Sequence, residues 1–296
     1  MMIRSVAVVG IGAMGAPMAR RIQTAGFELA VCDSNEAAVA EFVDRGARAA
    51  PEPADCANAD VILVLVATPD QVWEVILGER GILAGINAQR SPIIAVMSTV
   101  SAEVVEDIFL QLRPSRLRVI DAPISGGVRG AEQGTLTILT GGDEQDIAAV
   151  EPVFRTLGTR QIHCGALGAA QTMKIVNNIL GVSTTVIAGE AYRLAIERGL
   201  DPARVSHVLE ACSGRSARSK DPAGPRAGYA ELVPDRASFT SVSAIMRKDL
   251  SLAFDMASQA KGKYPAVCGL KILIDSLGEE TFDHWRRIAE LPSGND

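Results

Sequence analysis

The chain has 296 residues, of which 48 % are hydrophobic and 22 % charged, a globular balance that excludes wholesale disorder. Its formal net charge of −6 disfavours nucleic acid as a partner, because an acidic surface repels phosphate backbones. A chain of this length exceeds the usual size of a single hydrophobic core, so two domains are predicted.

The N-terminal part alternates short apolar runs with helical patterns. The predicted helices here include Met14–Ala25 and Glu36–Arg45. The predicted strands are Ser5–Val9, Glu28–Cys32, Val61–Val66, Ile93–Met97, Arg118–Ile120, Gly134–Thr140 and Arg160–His163. Strands that alternate with helices predict βαβ units and a parallel sheet. Residues 1–164 are therefore predicted to form an α/β dinucleotide-binding domain with a doubly wound sheet of the Rossmann type.

The pattern changes after Gly168. Apolar residues recur at helical spacing from Ala169 to Arg198 without a proline, which predicts one long helix. Further helices are predicted after Asp201-Pro202, at Ser243–Ala260 and at Val267–Leu277, with a long loop from Ser213 to Ser238. Residues 165–296 are thus predicted to form an all-α substrate and oligomerisation domain. Trp73 and Trp285 are both expected to pack.

A GxGxxG turn follows the first predicted strand and opens the first predicted helix. Its residues are Gly10, Ile11, Gly12, Ala13, Met14 and Gly15. The three glycines permit a tight turn, close approach of the pyrophosphate and close packing of the helix on the strand. The helix N-terminus then offers free N–H groups to the phosphates. The turn predicts dinucleotide binding, the alternative being a purely structural turn.

Asp33 lies at the end of the second predicted strand, 18 residues past Gly15. A carboxylate there can hydrogen-bond the adenosine ribose and would repel a 2′-phosphate, which favours NAD over NADP. The alternative is that Asp33 caps the helix that begins near Asn35. The nearest basic residues, Arg20 and Arg21, are expected to face solvent.

The segment from Asp121 to Ala131 follows a strand at the carboxyl edge of the predicted sheet, where ligands bind in open α/β sheets. Ser125 stands beside Gly126 and Gly127, and such a sequence can form a concave nest of backbone N–H donors for a carboxylate. A plain loop fits the composition equally well.

Lys174 lies early in the long apolar helix, and Asn178 lies one turn later on the same face. Burying a lysine costs free energy unless it is paired or functional. Desolvation lowers the pKa of a lysine, which suits a general acid–base for an alcohol or carbonyl proton. A lysine whose stem packs on the core while its amine reaches water is the structural alternative.

Together these motifs resemble those of the β-hydroxyacid dehydrogenase family, which contains 3-hydroxyisobutyrate dehydrogenase and tartronate semialdehyde reductase. The match comprises the glycine turn continued by Ala16-Pro17-Met18-Ala19, Asp121–Leu136, Gly165–Asn178, and the motif from Lys248 to Ala253. The motifs occur in the family's order over nearly the whole chain. Ala102 departs from the pattern, because a proline is common there.

The resemblance implies roles for individual residues. Lys174 would be the acid–base, and Asn178 would orient the substrate hydroxyl or the lysine. The substrate carboxylate would bind at Ser125, Gly126 and Gly127. The remaining assignments are to cofactor and cleft: Val66, Ala67 and Thr99 to the cofactor, Phe239 to the substrate, and Lys248 to both. Family members are usually dimers or tetramers, so a homodimer or homotetramer is expected.

The resulting prediction is hydride transfer between a small 3-hydroxy acid, similar to 3-hydroxyisobutyrate, and NAD. One alternative is an NAD(P)H-dependent semialdehyde or glyoxylate reductase resembling tartronate semialdehyde reductase. Another is a non-catalytic NAD-binding sensor that keeps the fold.

Cysteine usage and the apolar runs bear on the compartment. The five cysteines are far apart and without a CxxC pair, and the three histidines are scattered, which disfavours a disulfide framework or a metal site. The apolar run Ile3–Val9 is too short for a signal peptide, and no uncharged run reaches the length of a membrane span. A cytoplasmic protein with no membrane partner is expected.

Overall fold

The computed structural model describes residues 3–87, 90–115, 117–216 and 224–290. The chain divides into two compact units, Met1–Lys174 and Ile175–Asp296. They are called the first and the second unit below. The division falls inside one long helix, and the domain boundary expected at residue 165 stays a prediction.

The first unit is built on one sheet. Its strands are β1 (Ser5–Val9), β2 (Glu28–Cys32), β3 (Arg48–Ala49), β4 (Val61–Val64), β5 (Ile93–Val96), β6 (Arg118–Asp121), β7 (Ile124–Ser125), β8 (Leu136–Gly141) and β9 (Gly158–Gly165). The strand order is β3-β2-β1-β4-β5-β6-β8-β7, and β9 pairs with β8. Strands β1 to β6 pair in parallel, whereas β8 runs antiparallel to β6 and β7. The order 3-2-1-4-5-6 is that of a doubly wound dinucleotide-binding sheet, so the predicted fold class is confirmed.

Helices cover both faces of this sheet. They are α1 (Gly15–Thr24), α2 (Glu36–Val43), α3 (Pro69–Leu77), α4 (Ala102–Leu112), α5 (Gly127–Gln133) and α6 (Glu144–Leu157). Val6 and Val8 of β1 belong to one buried apolar cluster and Ala7 and Val9 to another. The strands are therefore buried on both sides, which is why they read as continuous apolar runs.

The long helix α7 (Ala169–Glu197) begins in the first unit and continues into the second. The second unit also contains α8 (Pro202–Ala211), α9 (Gly224–Ala230), α10 (Arg236–Gln259), α11 (Pro265–Cys268), α12 (Leu270–Ser276) and α13 (Glu279–Glu290). The loop predicted from Ser213 to Ser238 is wrong in part, because α9 and the start of α10 lie within it. Residues 217–223 of that segment lie outside the described residues.

The two tryptophans differ. Trp285 is buried in an aromatic cluster with Tyr229 and Phe239, as expected. The expectation that Trp73 packs is wrong, because Trp73 is 41 % exposed on α3. Helix α3 buries Val72 and Ile76 instead, so Trp73 lies on its outer side.

Helix α7 is long and apolar enough to cross a membrane by length and composition, although a core helix of a soluble protein passes the same test. Only 22 % of its most apolar window is buried in the single chain. Leu180, Ile187 and Leu194 are 69 %, 53 % and 58 % exposed. These three residues, called the α7 stripe below, repeat every seven positions and so lie on one side of the helix.

Candidate active site

The glycine turn has the shape that a pyrophosphate requires. Gly10 has a φ of +91°, and a Cβ there would lie 2.8 Å from the carbonyl oxygen of Leu65. A Cβ at Gly15 would collide with the carbonyl of Gly10, so only glycine lets the start of α1 pack this closely on the end of β1. A Cβ at Gly12 would meet nothing within 4 Å, which leaves its backbone open to a ligand. The turn therefore fits the pyrophosphate of a dinucleotide.

Asp33 connects this turn with the start of α2. Its Oδ2 accepts a hydrogen bond from the N–H of Ile11 at 2.8 Å, and its Oδ1 accepts one from the N–H of Asn35 at 2.9 Å. Asn35, rather than Asp33, is the N-cap of α2. Asp33 is half-buried, and a carboxylate offers about four acceptor positions, so it can still accept hydrogen bonds from ribose hydroxyls.

The ends of β4 and β5 continue the same edge of the sheet. The hydroxyl of Ser98, beside Thr99, donates to the carbonyl of Val66 at 2.7 Å. The N–H of Ala67 donates to Gln71 of α3 at 2.9 Å. Because β1, β4 and β5 are neighbours and parallel, the structure brings Val66, Ala67 and Thr99 to the same edge as the glycine turn.

The segment Ser125–Gly127 joins β7 to α5. Gly126 and Gly127 have φ values of +137° and +64°, which side-chain-bearing residues rarely adopt. Both glycines are exposed, and a Cβ at Gly127 would meet nothing within 4 Å. An open backbone of this kind suits recognition of a carboxylate by N–H groups.

A buried polar cluster fixes the start of α7. The carboxylate of Asp121, fully buried at the end of β6, accepts from the N–H groups of Gly168 at 3.0 Å and Gln171 at 2.8 Å. Burial raises the pKa of the Asp121 carboxyl above its ordinary value, and the N–H donors oppose that shift. The side chain of Gln171 accepts from the N–H of Val100 at 3.1 Å and donates to the carbonyl of Ser98 at 2.9 Å.

This cluster holds the turn that precedes Lys174, and Lys174 itself is only 9 % exposed. Sequence reasoning did not assign a role to Asp121 or Gln171. An acidic residue that ends an apolar strand was the available signal for Asp121. The side-chain partners of Gln171 lie about seventy residues away along the chain, so no local sequence pattern predicts these hydrogen bonds.

In the second unit, Asn178 is buried and its Nδ2 donates to Oδ2 of Asp249 at 2.8 Å. The Nδ2 of Asn177 donates to Oδ1 of Asn178 at 3.1 Å, which fixes the orientation of that amide. Lys248 Nζ lies 3.0 Å from the other carboxylate oxygen of Asp249. Asp249 therefore joins two residues that the sequence singled out, and its own role was missed.

Phe239 lies in the aromatic core of the second unit. Its ring centroid is 5.5 Å from that of Phe282 and 5.8 Å from that of Trp285. These contacts give Phe239 a packing role, and its assignment to the substrate stays a prediction.

Comparisons with known proteins agree with this architecture. The family model for the NAD-binding domain of 6-phosphogluconate dehydrogenase matches residues 5–168, and that for the NAD-binding of NADP-dependent 3-hydroxyisobutyrate dehydrogenase matches residues 168–284. The mitochondrial 3-hydroxyisobutyrate dehydrogenase of Homo sapiens is 32 % identical over 280 residues, which are 94 % of this chain and 80 % of the human protein.

Two solved structures share the fold. The 3-hydroxyisobutyrate dehydrogenase of Mycobacterium tuberculosis, solved with L-serine, has a TM-score of 0.72 at 26 % identity and covers 100 % of this chain and 97 % of its own. Psf3, solved with NADP+ and 2-OPP, has a TM-score of 0.82 at 24 % identity and covers 96 % of this chain and 99 % of its own.

A doubly wound sheet whose first turn is shaped for a pyrophosphate defines a dinucleotide-binding domain, and the family model matched over residues 5–168 makes it an NAD-binding domain of the dehydrogenase type. The chain belongs to the β-hydroxyacid dehydrogenase family. It is a hydroxy-acid dehydrogenase, and the resemblance found in its sequence is confirmed.

Proposed function

We propose that the protein oxidises a small 3-hydroxy acid of the 3-hydroxyisobutyrate type, with Lys174 as the general base. The burial of Lys174, just after the anchored first turn of α7, is the observation that supports this role most. A bound nicotinamide cofactor would supply the hydride acceptor for the alcohol carbon, and the glycine turn and Asp33 would hold it. The amine of Lys174 takes the hydroxyl proton as the carbonyl forms, and it returns a proton in the reverse direction.

The other assignments follow from the same proposal. Ser125, Gly126 and Gly127 hold the substrate carboxylate through backbone N–H groups and the serine hydroxyl. Asn178 lies one turn after Lys174 on α7 and orients the substrate hydroxyl. Lys248 contributes positive charge beside Asp249.

Replacement of Lys174 tests the proposal. We expect Lys174→Ala to lower kcat by about 10²–10⁴-fold, the usual contribution of a general base. Binding of NAD, followed by titration calorimetry, should stay within about threefold, which corresponds to less than 1 kcal/mol. The matched control is Lys271→Ala, which removes an exposed lysine paired with Asp275. Undiminished turnover by Lys174→Ala, measured as NADH absorbance over a panel of short hydroxy acids, would overturn the assignment.

We further propose that the cofactor is NAD rather than NADP. The carboxylate of Asp33, held by the N–H groups of Ile11 and Asn35, supports this choice. A fixed negative charge disfavours a second negative charge on the ribose, and juxtaposed like charges cost several kcal/mol. The wild type should therefore favour NAD in kcat/KM by about 10²-fold or more.

Asp33→Asn tests the charge, and the ratio of NAD to NADP activity is the quantity measured, because the amide nitrogen cannot accept one of the two N–H bonds from Ile11 and Asn35 and absolute affinity for both cofactors changes. The substitution removes the negative charge with almost no change in size, so the preference for NAD over NADP should shrink at least tenfold, or about 1.4 kcal/mol. A wild type that uses NADPH and reduces glyoxylate or a semialdehyde would favour the reductase alternative. Tight NAD binding with no turnover of any acid would favour the sensor.

We also propose a homodimer or homotetramer in which the α7 stripe is covered by a second copy. Apolar side chains of this size repeated at seven-residue spacing are typical of helix–helix contacts. Light scattering after gel filtration should give two or four times the chain mass. Ile187→Glu should shift the protein towards the monomer, whereas Ile272→Glu, at an exposed residue outside the stripe, should not. A monomeric wild type at micromolar concentration would contradict the proposal.

A cytoplasmic location is the last part of the proposal. All five cysteines are free in the structure, as is usual in a reducing compartment. Fractionation of the source cells, with the dehydrogenase activity as the marker, would test it.

A further inference from the structure

Arg21 lies in the last turn of α1, and its guanidinium group reaches two other helices. Its Nε donates to the carbonyl of Thr156 at 2.6 Å, and its Nη1 donates to the carbonyl of Glu132 at 3.1 Å. The expectation that Arg21 faces solvent is therefore wrong. Its side chain is half-buried between main-chain groups.

Both carbonyls belong to helix ends. Glu132 is in the last turn of α5 and Thr156 is in the last turn of α6. The last four carbonyls of a helix have no partner within the helix, and that end is the negative pole of its dipole. A single cation thus satisfies an orphan carbonyl at each of two helix ends.

The surroundings are built around this contact. Gly134, directly after α5, has a φ of +69°, and a Cβ there would overlap the guanidinium group of Arg21. On the buried side, Met18 and Ile22 of α1 share one apolar cluster with Ala131 of α5 and Phe154 of α6. Packing therefore brings the three helices together, and Arg21 links their polar ends.

The two ends of this connection have different proposed ligands. Helix α1 begins at Gly15, in the turn shaped for the pyrophosphate, and α5 begins at Gly127, in the segment proposed for the substrate carboxylate. Arg21 is thus a direct hydrogen-bonded link from the helix at the cofactor to the helix at the substrate segment.

We propose that Arg21 is a positioning residue that fixes the segment Ser125–Gly127 relative to the cofactor's pyrophosphate site. The substrate part of this inference rests on the proposed function. Binding of NAD at the glycine turn steadies α1, and Arg21 transmits that order to α5. The substrate carboxylate then meets a segment already held in place, so less ordering is required when it binds.

The first experiment needs NAD alone. Hydrogen–deuterium exchange is followed for residues 126–133 and for the glycine turn, with and without NAD, in wild type, Arg21→Ala and Arg20→Ala. Arg20 is the matched control, because it is the neighbouring arginine on α1 but pairs with Glu41 of α2. In the wild type we expect NAD to slow exchange at residues 126–133 by about tenfold. Arg21→Ala should lose most of that slowing while the glycine turn stays protected by NAD, and Arg20→Ala should behave as wild type.

The second experiment separates substrate from cofactor. For Arg21→Ala we expect the KM of the hydroxy acid to rise by about tenfold, while the KM of NAD stays within about threefold, because the lost bonds are charge-assisted and lie on the α5 side. Arg21→Lys keeps the charge but cannot present a planar fork to two carbonyls, so it should fall between the two. It also serves as the variant to measure if Arg21→Ala does not fold.

The outcomes are distinguishable. A wild type that oxidises no hydroxy acid would refute the proposed function, and the exchange experiment would still decide the role of Arg21. If the Arg21 variants lower the melting temperature but keep both the NAD-dependent slowing at residues 126–133 and the wild-type KM values, Arg21 only stabilises the fold. Arg21 is likewise only a stabilising residue if NAD leaves exchange at residues 126–133 unchanged in the wild type.

Discussion

Replacement of Gln171 tests whether its side-chain hydrogen bonds fix the start of α7. The residue is fully buried, and its side-chain amide bonds the N–H of Val100 and the carbonyl of Ser98, both just beyond β5. Gln171→Met keeps nearly the same length and volume but removes both bonds. It leaves one donor and one acceptor of the backbone buried without these partners.

The magnitude follows from those two groups. A buried polar group that loses its partner costs about 1–3 kcal/mol, so the variant, which leaves two such groups, should lose about 2–6 kcal/mol of unfolding free energy. The adjacent Thr172 gives the control, because its hydroxyl only returns to the carbonyl of Gly168 within the same helix. Thr172→Val should cost less than about 1 kcal/mol, since an i−4 hydroxyl bond adds little to a helix.

Urea unfolding followed by circular dichroism measures both variants. The comparison uses transition midpoints, because a chain of two units need not unfold in one step. We expect a clearly lower midpoint for Gln171→Met and a nearly unchanged one for Thr172→Val. Equal midpoints for the two variants would refute the idea that the amide of Gln171 fastens the start of α7. Turnover at a temperature where Gln171→Met is fully folded should also fall, because Lys174 lies one turn further along the helix.

Two further predictions concern stability. Although burial raises the pKa of Asp60, the N–H donors of Arg4 and Ser5 outweigh it, and the pKa lies below its ordinary value. A lowered folded-state pKa stabilises the fold above the unfolded pKa, and that contribution is lost as the pH falls through the folded value. Asp60→Asn should therefore cost about 1–2 kcal/mol near pH 7, and the difference should shrink below about pH 4, as urea titrations at several pH values would reveal. Tyr229→Phe removes a buried hydroxyl that donates to the carbonyl of Thr185 at 2.7 Å, and it should cost about 1–1.5 kcal/mol in thermal unfolding. An equal loss in Tyr264→Phe, at an exposed tyrosine, would show that the bond to Thr185 does not matter.

The sheet was predictable because its signals are local. Strands β4 and β5 are runs of four apolar residues buried on both faces, β1 has such a run of four after Ser5, and the GxGxxG turn follows β1. The short strands β3 and β7 have two residues each and give no such pattern. Helix α9 was missed because its glycine-rich sequence has low intrinsic helix propensity, which tertiary packing overrides.

The candidate site was predictable only where a ligand imposes a local pattern. Gly10, Gly15 and Asp33 stand at spacings that the dinucleotide requires, so the sequence displays them. The partners of Gln171, Asp249 and Arg21 lie 71 to 135 residues away in the chain. The two residues of each hydrogen bond are too far apart in the sequence for a local pattern to include both. Their roles are visible only in the folded structure, where the segments lie side by side.

Helix α7 has a local pattern that the sequence shows and burial that only the structure shows. Its buried polar residues Gln171, Lys174, Asn178 and Thr185 are separated by three, four and seven positions, so they form one stripe along the helix. The exposed residues of the α7 stripe lie about half a turn away, on the opposite side. The buried side also holds the apolar residues Ile175, Val186 and Tyr192, so α7 has apolar side chains on both its buried and its exposed side.

This arrangement is costly in a single chain, because the buried polar groups are desolvated while leucine and isoleucine of the α7 stripe remain in water. Two separate demands explain it. The hydrogen bonds of Gln171 and Asn178 offset the cost for the buried polar groups, among which lies Lys174, the proposed general base. A second copy of the chain would offset the cost on the apolar side. A monomeric protein in which Lys174→Ala is fully active would contradict both parts of this explanation.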